Sequence, residues 1–408
     1  MTTARGQGAA VVRRRPKDRK EQIARASAEA FSAQGYHAVS MEAIAAKVGI
    51  SAPALYRHHA SKYELFRDAV LALGRALVDC TDFVDTNDGD PDETLNRLID
   101  ALVDVTLANR ESGGLYRWQA RYLHGADQRV LGDQLRMVNR RIQQPLNVMR
   151  PELTSPQRWM LSAGMLSVIG SAVDHRVQLP SDEIRALLRS AARAVIGAEL
   201  PGPQDTFARP SSWRVFEVDT GVYEALLQAS MVLFNAKGFP ATSMAEIASA
   251  VGIPVSGIYR YFPGKCDILA TGLRRAADRV SGRLSATLSG LTEPGHMLTL
   301  LIEAYVATSF ANPDLVAIYY TERVNLSRVD QELLRSVQRA TIDAWMRLLA
   351  AARPSLTKTR ARVLVHAAMA LVVDVGRLVH YEHRGDNSAY PQACVRKLME
   401  ATLFGSAG

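Results

Sequence analysis

The stretch SMEAIAAKVGISAPALYRHHASKYELF, residues 40–66, occurs in a second version further along the chain. That version, SMAEIASAVGIPVSGIYRYFPGKCDIL, occupies residues 243–269, which lie 203 positions further on. Residues 21–70 share 17 identities in 50 positions with the residues 203 further on, without a gap. The same register aligns Leu153-Thr154 with Leu356-Thr357. A whole domain of about 200 residues is therefore duplicated, as copy one and copy two, whereas a solenoid would use shorter and more numerous repeats.

Length and composition limit the class of protein. The 408 residues exceed one ordinary hydrophobic core and fit two domains or two pairs of domains. The net charge of +8 and the pI of about 9.5 favour an anionic partner such as nucleic acid, with a solvated basic surface as the alternative. The three cysteines show neither metal-site spacing nor a disulfide framework, and no apolar run reaches the roughly 18 residues of a membrane span. We therefore expect a cytoplasmic protein that binds no metal or cofactor and enters no membrane.

Helical periodicity dominates both copies, and no stretch alternates strictly enough to suggest a strand. In copy one, Ser40 is expected to cap a short helix that stops at Gly49, and Ser51 starts a second short helix. Ser61 followed by Glu64 has the spacing of a capping box and opens a longer helix. Two short helices joined by a glycine-containing turn are the helix-turn-helix arrangement, whose second helix enters the major groove of DNA.

Both quoted stretches resemble the DNA-binding signature of TetR-family transcriptional repressors. The signature has a Ser or Thr opening the second helix, Val-Gly-Ile or Val-Gly-Val at the turn, and then Leu-Tyr followed by a Lys, which here are Leu55, Tyr56 and Lys62. The resemblance implies an all-helical unit in which three N-terminal helices bind DNA and a larger domain binds ligand and dimerises. As a fusion of two units, the chain is similar to tandem actinobacterial regulators of lipid and steroid catabolism and of mammalian-cell-entry operons.

The repeat and the resemblance together predict an all-α fold of two tandem TetR-like units. From the N-terminus, the expected parts are a basic disordered arm, a helix-turn-helix domain, a helical regulatory domain, a Pro-rich linker, a second helix-turn-helix domain and a second regulatory domain. Their expected boundaries are 1–17, 18–65, 66–198, 199–218, 219–268 and 269–408.

The family's DNA-contacting sites fall by position on six residues in each copy. Arg57 and Arg260 are added as phosphate contacts, with plain solvation as the alternative. Copy one offers mostly small apolar groups where polar base readers often sit, so base reading is expected to rely on thymine methyl groups and DNA shape. The six positions are Ser40, Ala52, Pro53, Tyr56, His58 and Lys62 in copy one, and Ser243, Val255, Ser256, Tyr259, Tyr261 and Lys265 in copy two.

Basic residues concentrate near the N-terminus. Residues 1–75 hold 13 Lys and Arg against 6 Asp and Glu, which accounts for almost the whole positive excess of the chain. We expect the arm to lie along phosphates or in the minor groove and to add affinity without reading sequence, with a solubilising tail as the alternative. The arm residues expected to contact DNA are Arg13, Arg14, Arg15 and Lys17.

The regulatory domains contain aromatic, histidine and methionine residues that fit either a helix-bundle core or a ligand pocket between helices. Few polar groups accompany them, so an effector is expected to be mainly apolar, such as a fatty-acyl or sterol derivative. The pocket candidates are Tyr116, Trp118 and Met165 in copy one, and Tyr305, Tyr319, Trp345 and His366 in copy two.

These features predict a sequence-specific repressor that binds double-stranded operator DNA and is released by an apolar small molecule. Because the reading positions differ between the copies, we expect an intramolecular pseudo-dimer on an asymmetric operator, with a homodimer as the rival. The alternative function is an architectural DNA-binding protein that responds to no effector. No acid–base or nucleophile group stands at a recognisable catalytic spacing, so an enzyme is not expected, although a helical enzyme with a vestigial DNA-binding domain is a third reading.

Overall fold

The computed structural model describes residues 16–86, 89–202, 214–217, 221–288, 290–379 and 389–405. Every regular element in these ranges is a helix, so the predicted all-α fold is confirmed. In copy one the α-helices are α1 (Pro16–Gln34), α2 (Met41–Val48), α3 (Ala52–Tyr56), α4 (Lys62–Asp79), α5 (Pro91–Ala108), α6 (Gly125–Met149), α7 (Ser155–Gly170) and α8 (Ser181–Ile196). In copy two they are α9 (Val222–Lys237), α10 (Met244–Val251), α11 (Val255–Ile258), α12 (Lys265–Leu288), α13 (Pro294–Ala311), α14 (Pro313–Thr321), α15 (Arg328–Ala352), α16 (Lys358–Leu378) and α17 (Ala389–Phe404).

The short helices begin and end where the sequence predicts. The hydroxyl of Ser40 accepts the N–H of Ala43, and α2 ends at Gly49, whose φ of 73° requires the left-handed backbone that glycine adopts without strain. The hydroxyl of Ser51 likewise caps α3. At the start of α4, Ser61 accepts the N–H of Glu64, but the Glu64 carboxylate returns to the N–H of Ala60, one residue before the position that a capping box uses.

The two helix-turn-helix regions have matching cores. We call α1, α2 and α3 head one, and α9, α10 and α11 head two. In each head, every helix contributes a fully buried apolar residue at a position that differs by 203 between the heads. These residues are Phe31, Ile44 and Leu55 in head one, and Phe234, Ile247 and Ile258 in head two.

The described chain divides into two structural units. The first comprises the described residues up to Leu73 together with Glu111–Leu131, and it contains head one. The second comprises Gly74–Arg110 and the described residues from Gly132 onward, and it contains head two and both C-terminal helix pairs. In the first unit, Phe31 and Phe66 meet edge to face at 5.3 Å, and Tyr36 stacks on Tyr122 at 5.6 Å.

The predicted Pro-rich linker ends in ordered core. Of the expected linker range 199–218, residues 203–213 and 218 lie outside the described residues. Val215 and Phe216, at 1% and 2% exposure, belong to the apolar core around head two. The N–H of Val215 donates to the Asn312 side chain at 2.8 Å. This short apolar stretch is therefore part of the folded domain, because burying it stabilises the core.

The second unit contains four helices that bring the two copies together. Helix α7 packs against α16, and α8 packs against α17. Gly164 in α7 permits close approach, since a Cβ there would lie 2.9 Å from Leu398 in α17. The hydroxyl of Ser167 donates to the carboxylate of Asp374 in α16 at 2.6 Å. Copy one and copy two thus share one core within a single chain.

Within the described ranges, no helix combines the length and the apolar character that crossing a bilayer requires.

Candidate nucleic-acid interface

The predicted contact residues of head one surround its recognition helix α3. Leu55 is buried and anchors α3 to the core, while Tyr56 is 47% exposed. The neighbouring residues Pro53, Arg57 and His58 are exposed. The buried anchor and the exposed side chains therefore lie on one short helix and the turn that follows it. Polar and aromatic groups are thus available to a partner while Leu55 stays in the core of the head.

Head two repeats this arrangement with different side chains. Ile258 is the buried anchor of α11, and Val255, Tyr259 and Tyr261 are 44%, 54% and 43% exposed. Ser256 and Arg260 are exposed as well. Exposed apolar and aromatic side chains that lie close together can mark an interaction site, whereas scattered ones are ordinary. The assignment of these residues to DNA remains a prediction, since the structure contains no nucleic acid.

The amino ends of α2 and α10 have donors for a phosphate. Ser40 and Ser243 are both exposed N-caps whose hydroxyls accept one amide of the first turn. A helix N-terminus favours an anion, because its first amides point outward and the helix dipole adds partial positive charge. In head two, Glu246 completes a capping box with Ser243 and pairs with Lys237, and these contacts lower the pKa of Glu246 to about 2.

The two lysines of the signature have a role that the sequence did not predict. The ammonium group of Lys62 donates to the carbonyls of His37 and Val39 at 3.3 and 3.1 Å. Lys265 donates to three carbonyls, those of Phe239, Pro240 and Thr242, at 2.8, 3.2 and 3.0 Å. These bonds use all three N–H groups of Lys265, so a phosphate contact there would require breaking one of them. Both lysines hold the loop that precedes the helix-turn-helix.

Lys265→Met tests this role. We expect the substitution to lower the free energy of unfolding of head two by about 1–2 kcal/mol, because hydrogen bonds to a charged group are lost from a partly exposed site. Operator affinity should fall, while the salt dependence of binding stays unchanged, since no phosphate contact disappears. Arg260→Ala, which removes an exposed guanidinium, is the control and should lower the salt slope by about one. A lower slope for Lys265→Met without a change in thermal unfolding would restore the phosphate role.

The predicted arm is only partly described. Arg13, Arg14 and Arg15 lie outside the described residues. Lys17 lies in the first turn of α1, which begins at Pro16, and its side chain is outside the described set. Of the expected arm of residues 1–17, Pro16 and Lys17 therefore lie in α1, because proline starts a helix readily in its first turn.

A cavity of about 180 Å³ lies in the second unit, between α12, α13, α14 and α15. Tyr305 and Tyr319, two of the predicted pocket residues, line it. Burial raises the pKa of both phenols, so both are uncharged, and the hydroxyl of Tyr319 donates to Gln338 at 2.6 Å. None of the residues lining this cavity carries a charge. An apolar cavity of 150 Å³ can admit benzene, so a larger ligand fits here.

The other predicted pocket residues do not line this cavity. Trp345 is fully buried and meets Tyr305 edge to face at 5.6 Å. Met165 is fully buried in α7, and His366 stacks on His175. Tyr116 and Trp118 belong to the first unit. Sequence reasoning selected large side chains, whereas α12 contributes small ones such as Ala276 and Ala277, which leave space rather than fill it.

Both heads lie in stretches that match a known family of proteins. The sequence profile described as "Bacterial regulatory proteins, tetR family" matches residues 23–69 and, again, residues 226–271. Both heads therefore match the tetR family of regulators. Each match begins inside the first helix of a head and extends into the helix that follows the head, which is α4 in copy one and α12 in copy two. The match to this family therefore occurs twice, once in each copy, as the repeat predicts.

Curated relatives match parts of this chain. The transcriptional repressor KstR2 of Mycolicibacterium smegmatis is 30% identical over 127 residues, covering 31% of the chain and 58% of the relative. The transcriptional activator FasR of the same species is 46% identical over 54 residues, covering 13% of the chain and 25% of the relative. The chain thus spans between about a quarter and three fifths of the length of these two relatives. All the relatives named are transcriptional regulators.

Among solved structures, the ketosteroid transcriptional regulator KstR2 of Mycobacterium tuberculosis matches 47% of this chain and 98% of its own, at 20% identity and a TM-score of 0.40.

In the described part of the chain, no group of three metal-ligating side chains comes together.

Proposed function

We propose that this chain is a transcriptional repressor whose two heads read two different half-sites of one operator. The single observation that carries the proposal is the packing of α7 and α8 against α16 and α17 within one chain. A homodimer has identical heads related by a twofold axis and reads a palindrome. Here one chain supplies both halves, and an operator-binding regulator of this kind works in the cytoplasm, where the chromosome is.

The heads differ at the positions expected to read bases. The residues Ala52-Pro53-Ala54 of head one stand where head two has Val255-Ser256-Gly257. Apolar side chains contact the thymine methyl group, whereas a serine hydroxyl exchanges hydrogen bonds with several bases. Two different surfaces on one chain therefore favour an asymmetric operator.

The contact between Ser167 and Asp374 favours pairing of unlike copies. Thr154 and Thr357 cap α7 and α16 at equivalent positions, so the 203-residue register holds in this bundle. In that register Ser167 corresponds to Ala370, and Asp374 corresponds to Ser171. Pairing copy two with its twin would place Ala370 opposite Asp374 and remove the hydroxyl that donates to this carboxylate. Losing one partner of such a bond costs about 1–3 kcal/mol.

The cavity supports release by an uncharged, mainly apolar effector. Leu273, Ala276 and Ala277 of α12 line it, and α12 begins at Lys265, the residue that holds the loop of head two. A ligand that moves α12 would therefore act on head two.

The test of the proposal is selection of bound sequences from randomised duplex DNA by the purified protein at a fixed salt concentration. We expect one operator with two unlike half-sites about 34–36 Å apart, one helical turn. Recovery of a palindrome would contradict the pseudo-dimer. Failure to enrich any sequence, with binding that depends only on salt, would instead indicate an architectural DNA-binding protein.

Two dyes with the same ring system test the charge of the effector. N-phenyl-1-naphthylamine is uncharged, and 8-anilino-1-naphthalenesulfonate carries a sulfonate. We expect the uncharged dye to bind at least about tenfold more tightly, because burying an unpaired charge among uncharged side chains is costly. Ala277→Trp should fill the cavity and abolish binding of the uncharged dye, while Ala286→Trp, at an exposed position of the same helix, should not. Preference for the sulfonate would contradict the proposed effector class.

A further inference from the structure

In both copies, the loop between the first and second helix of the head donates a hydrogen bond to a side chain at an equivalent position. In copy one, the side-chain oxygen Oε1 of Gln119 accepts the backbone N–H of Tyr36 at 3.2 Å. In copy two, Oε1 of Glu322 accepts the backbone N–H of Phe239, also at 3.2 Å. The two acceptors are 203 residues apart, and so are the two donors. The repeat has therefore kept this contact although the side chain changed from an amide to a carboxylate.

Both acceptors are buried, and the loop is held from its other side as well. Gln119 is 8% exposed and Glu322 is 0% exposed. The signature lysines, Lys62 and Lys265, donate to carbonyls of the same two loops. A buried N–H without an acceptor costs free energy, so each acceptor stabilises one conformation of its loop.

The loops lead directly into the helix-turn-helix. The loop of head two runs from Gly238 to Ser243, and Ser243 caps α10. Fixing the N–H of Phe239 and three loop carbonyls fixes where α10 begins. The position of α10 in turn sets where the phosphate-binding end of this helix and the recognition helix lie.

In copy two, the acceptor belongs to the segment that lines the cavity. Leu315, Val316 and Tyr319 of α14 line the cavity, and Glu322 follows the last residue of α14. The carboxylate of Glu322 also accepts a hydrogen bond from the Asn325 side chain at 2.8 Å. A ligand that shifts α14 would therefore shift the acceptor that holds the loop of head two.

We propose that Gln119 and Glu322 are positioning residues for DNA binding, each acting on the loop of its own head. Glu322 additionally connects the cavity helix α14 to head two. Neither residue lies within the stretches that match the family's DNA-binding profile, 23–69 and 226–271. The inference rests on the proposed function, because it requires that both heads bind DNA.

The copies supply matched substitutions for the test. Copy one uses glutamine at the position where copy two uses glutamate, so Glu322→Gln is expected to preserve the contact and Glu322→Ala to remove it. Each variant is footprinted with hydroxyl radicals on the operator that the wild-type protein selects. Tyr259→Ala identifies the half-site that belongs to head two. Glu322→Ala should weaken protection of that half-site about tenfold and leave the other half-site and the salt slope unchanged.

Gln119→Ala provides the reciprocal measurement and should weaken only the half-site of head one. Equal protection of both half-sites by Glu322→Ala, or a loss with Glu322→Gln as large as with Glu322→Ala, would overturn the inference. If Glu322→Ala lowers the unfolding midpoint so far that footprinting fails, Glu322→Gln and Gln119→Ala decide the question alone. Absence of any selected operator with the wild-type protein would overturn the proposed function instead.

Discussion

Replacing Tyr56 and Tyr259 together with alanine is expected to weaken operator binding about a hundredfold, with about tenfold from each substitution. Both side chains are about half exposed, at 47% and 54%, at the carboxyl end of their recognition helices. Removing them costs the contacts with DNA but little of the core, so the unfolding midpoint should hardly change. Fluorescence anisotropy with labelled operator at one salt concentration measures the affinities.

The two single variants make this prediction specific to each head. The free-energy effects of substitutions at distant sites usually add, so the double variant should lose the sum of the two binding free energies that the single variants lose. Val329→Ala, at a residue 74% exposed in α15, is the control and should leave affinity unchanged. Unchanged affinity for Tyr259→Ala would mean that head two does not contribute to binding.

Acidification below pH 6.5 is expected to destabilise the chain through a histidine pair in the second unit. The rings of His175 and His366, one from each copy, stack with centroids 4.7 Å apart. Burial and the neighbouring His366, Arg110 and Arg176 lower the pKa of His175 to about 2. Burial and Arg362 lower the pKa of His366 to about 4. Both rings are therefore neutral in the folded protein at neutral pH.

The hydrogen bonds of His175 agree with a neutral ring. Its Nδ1 accepts the N–H of Val177 and lies 3.2 Å from the guanidinium of Arg110, which can only donate. The remaining proton is therefore on Nε2, which has no hydrogen-bond partner within the described residues. A second proton on this ring would face an arginine and a second imidazole.

The sign of the effect follows from these lowered pKa values. An unfolded histidine binds a proton below pH 6.5, while the folded ring does so only below its own lower pKa. Stability is therefore full above pH 6.5 and falls as the pH drops toward about 4 for His366. Each histidine contributes a slope of about 1.4 kcal/mol per pH unit in that range.

His366→Phe keeps an aromatic ring in the stack and removes its titration. Between pH 6.5 and 4, wild-type protein should lose about 3 kcal/mol more stability than this variant. Carboxylates titrate in both proteins alike, so the difference isolates the histidine. Denaturant unfolding at several pH values measures it, and parallel pH dependences for the two proteins would contradict the buried neutral pair.

The heads could be predicted from sequence because local chemistry determines them. Ser40, Ser51 and Ser243 act on amides three residues away, and Gly49 supplies a backbone conformation that other residues rarely adopt. The signature lysines show the limit of this reasoning. The carbonyls that Lys62 and Lys265 hold lie 23 to 26 residues earlier in the chain, and nothing local to either lysine indicates them.

The regulatory domains were less predictable for a related reason. Trp345 and Met165 are residue types that often line pockets, but both are fully buried in the core. A large apolar side chain stabilises the fold most when it is fully buried. The cavity instead depends on small residues of α12 and on Val215 from a segment assigned to the linker. The position of a cavity depends on how several helices pack together. It therefore cannot be predicted from the residue pattern along one helix.

One chain, by itself, is proposed to supply both halves of the operator-binding assembly. Native mass spectrometry of the protein on the shortest duplex that binds with full affinity measures how many chains each duplex holds. We expect one chain of 44.7 kDa on each duplex, with two unlike half-sites occupied. Two chains on that duplex would show instead that each copy pairs with its twin in another chain.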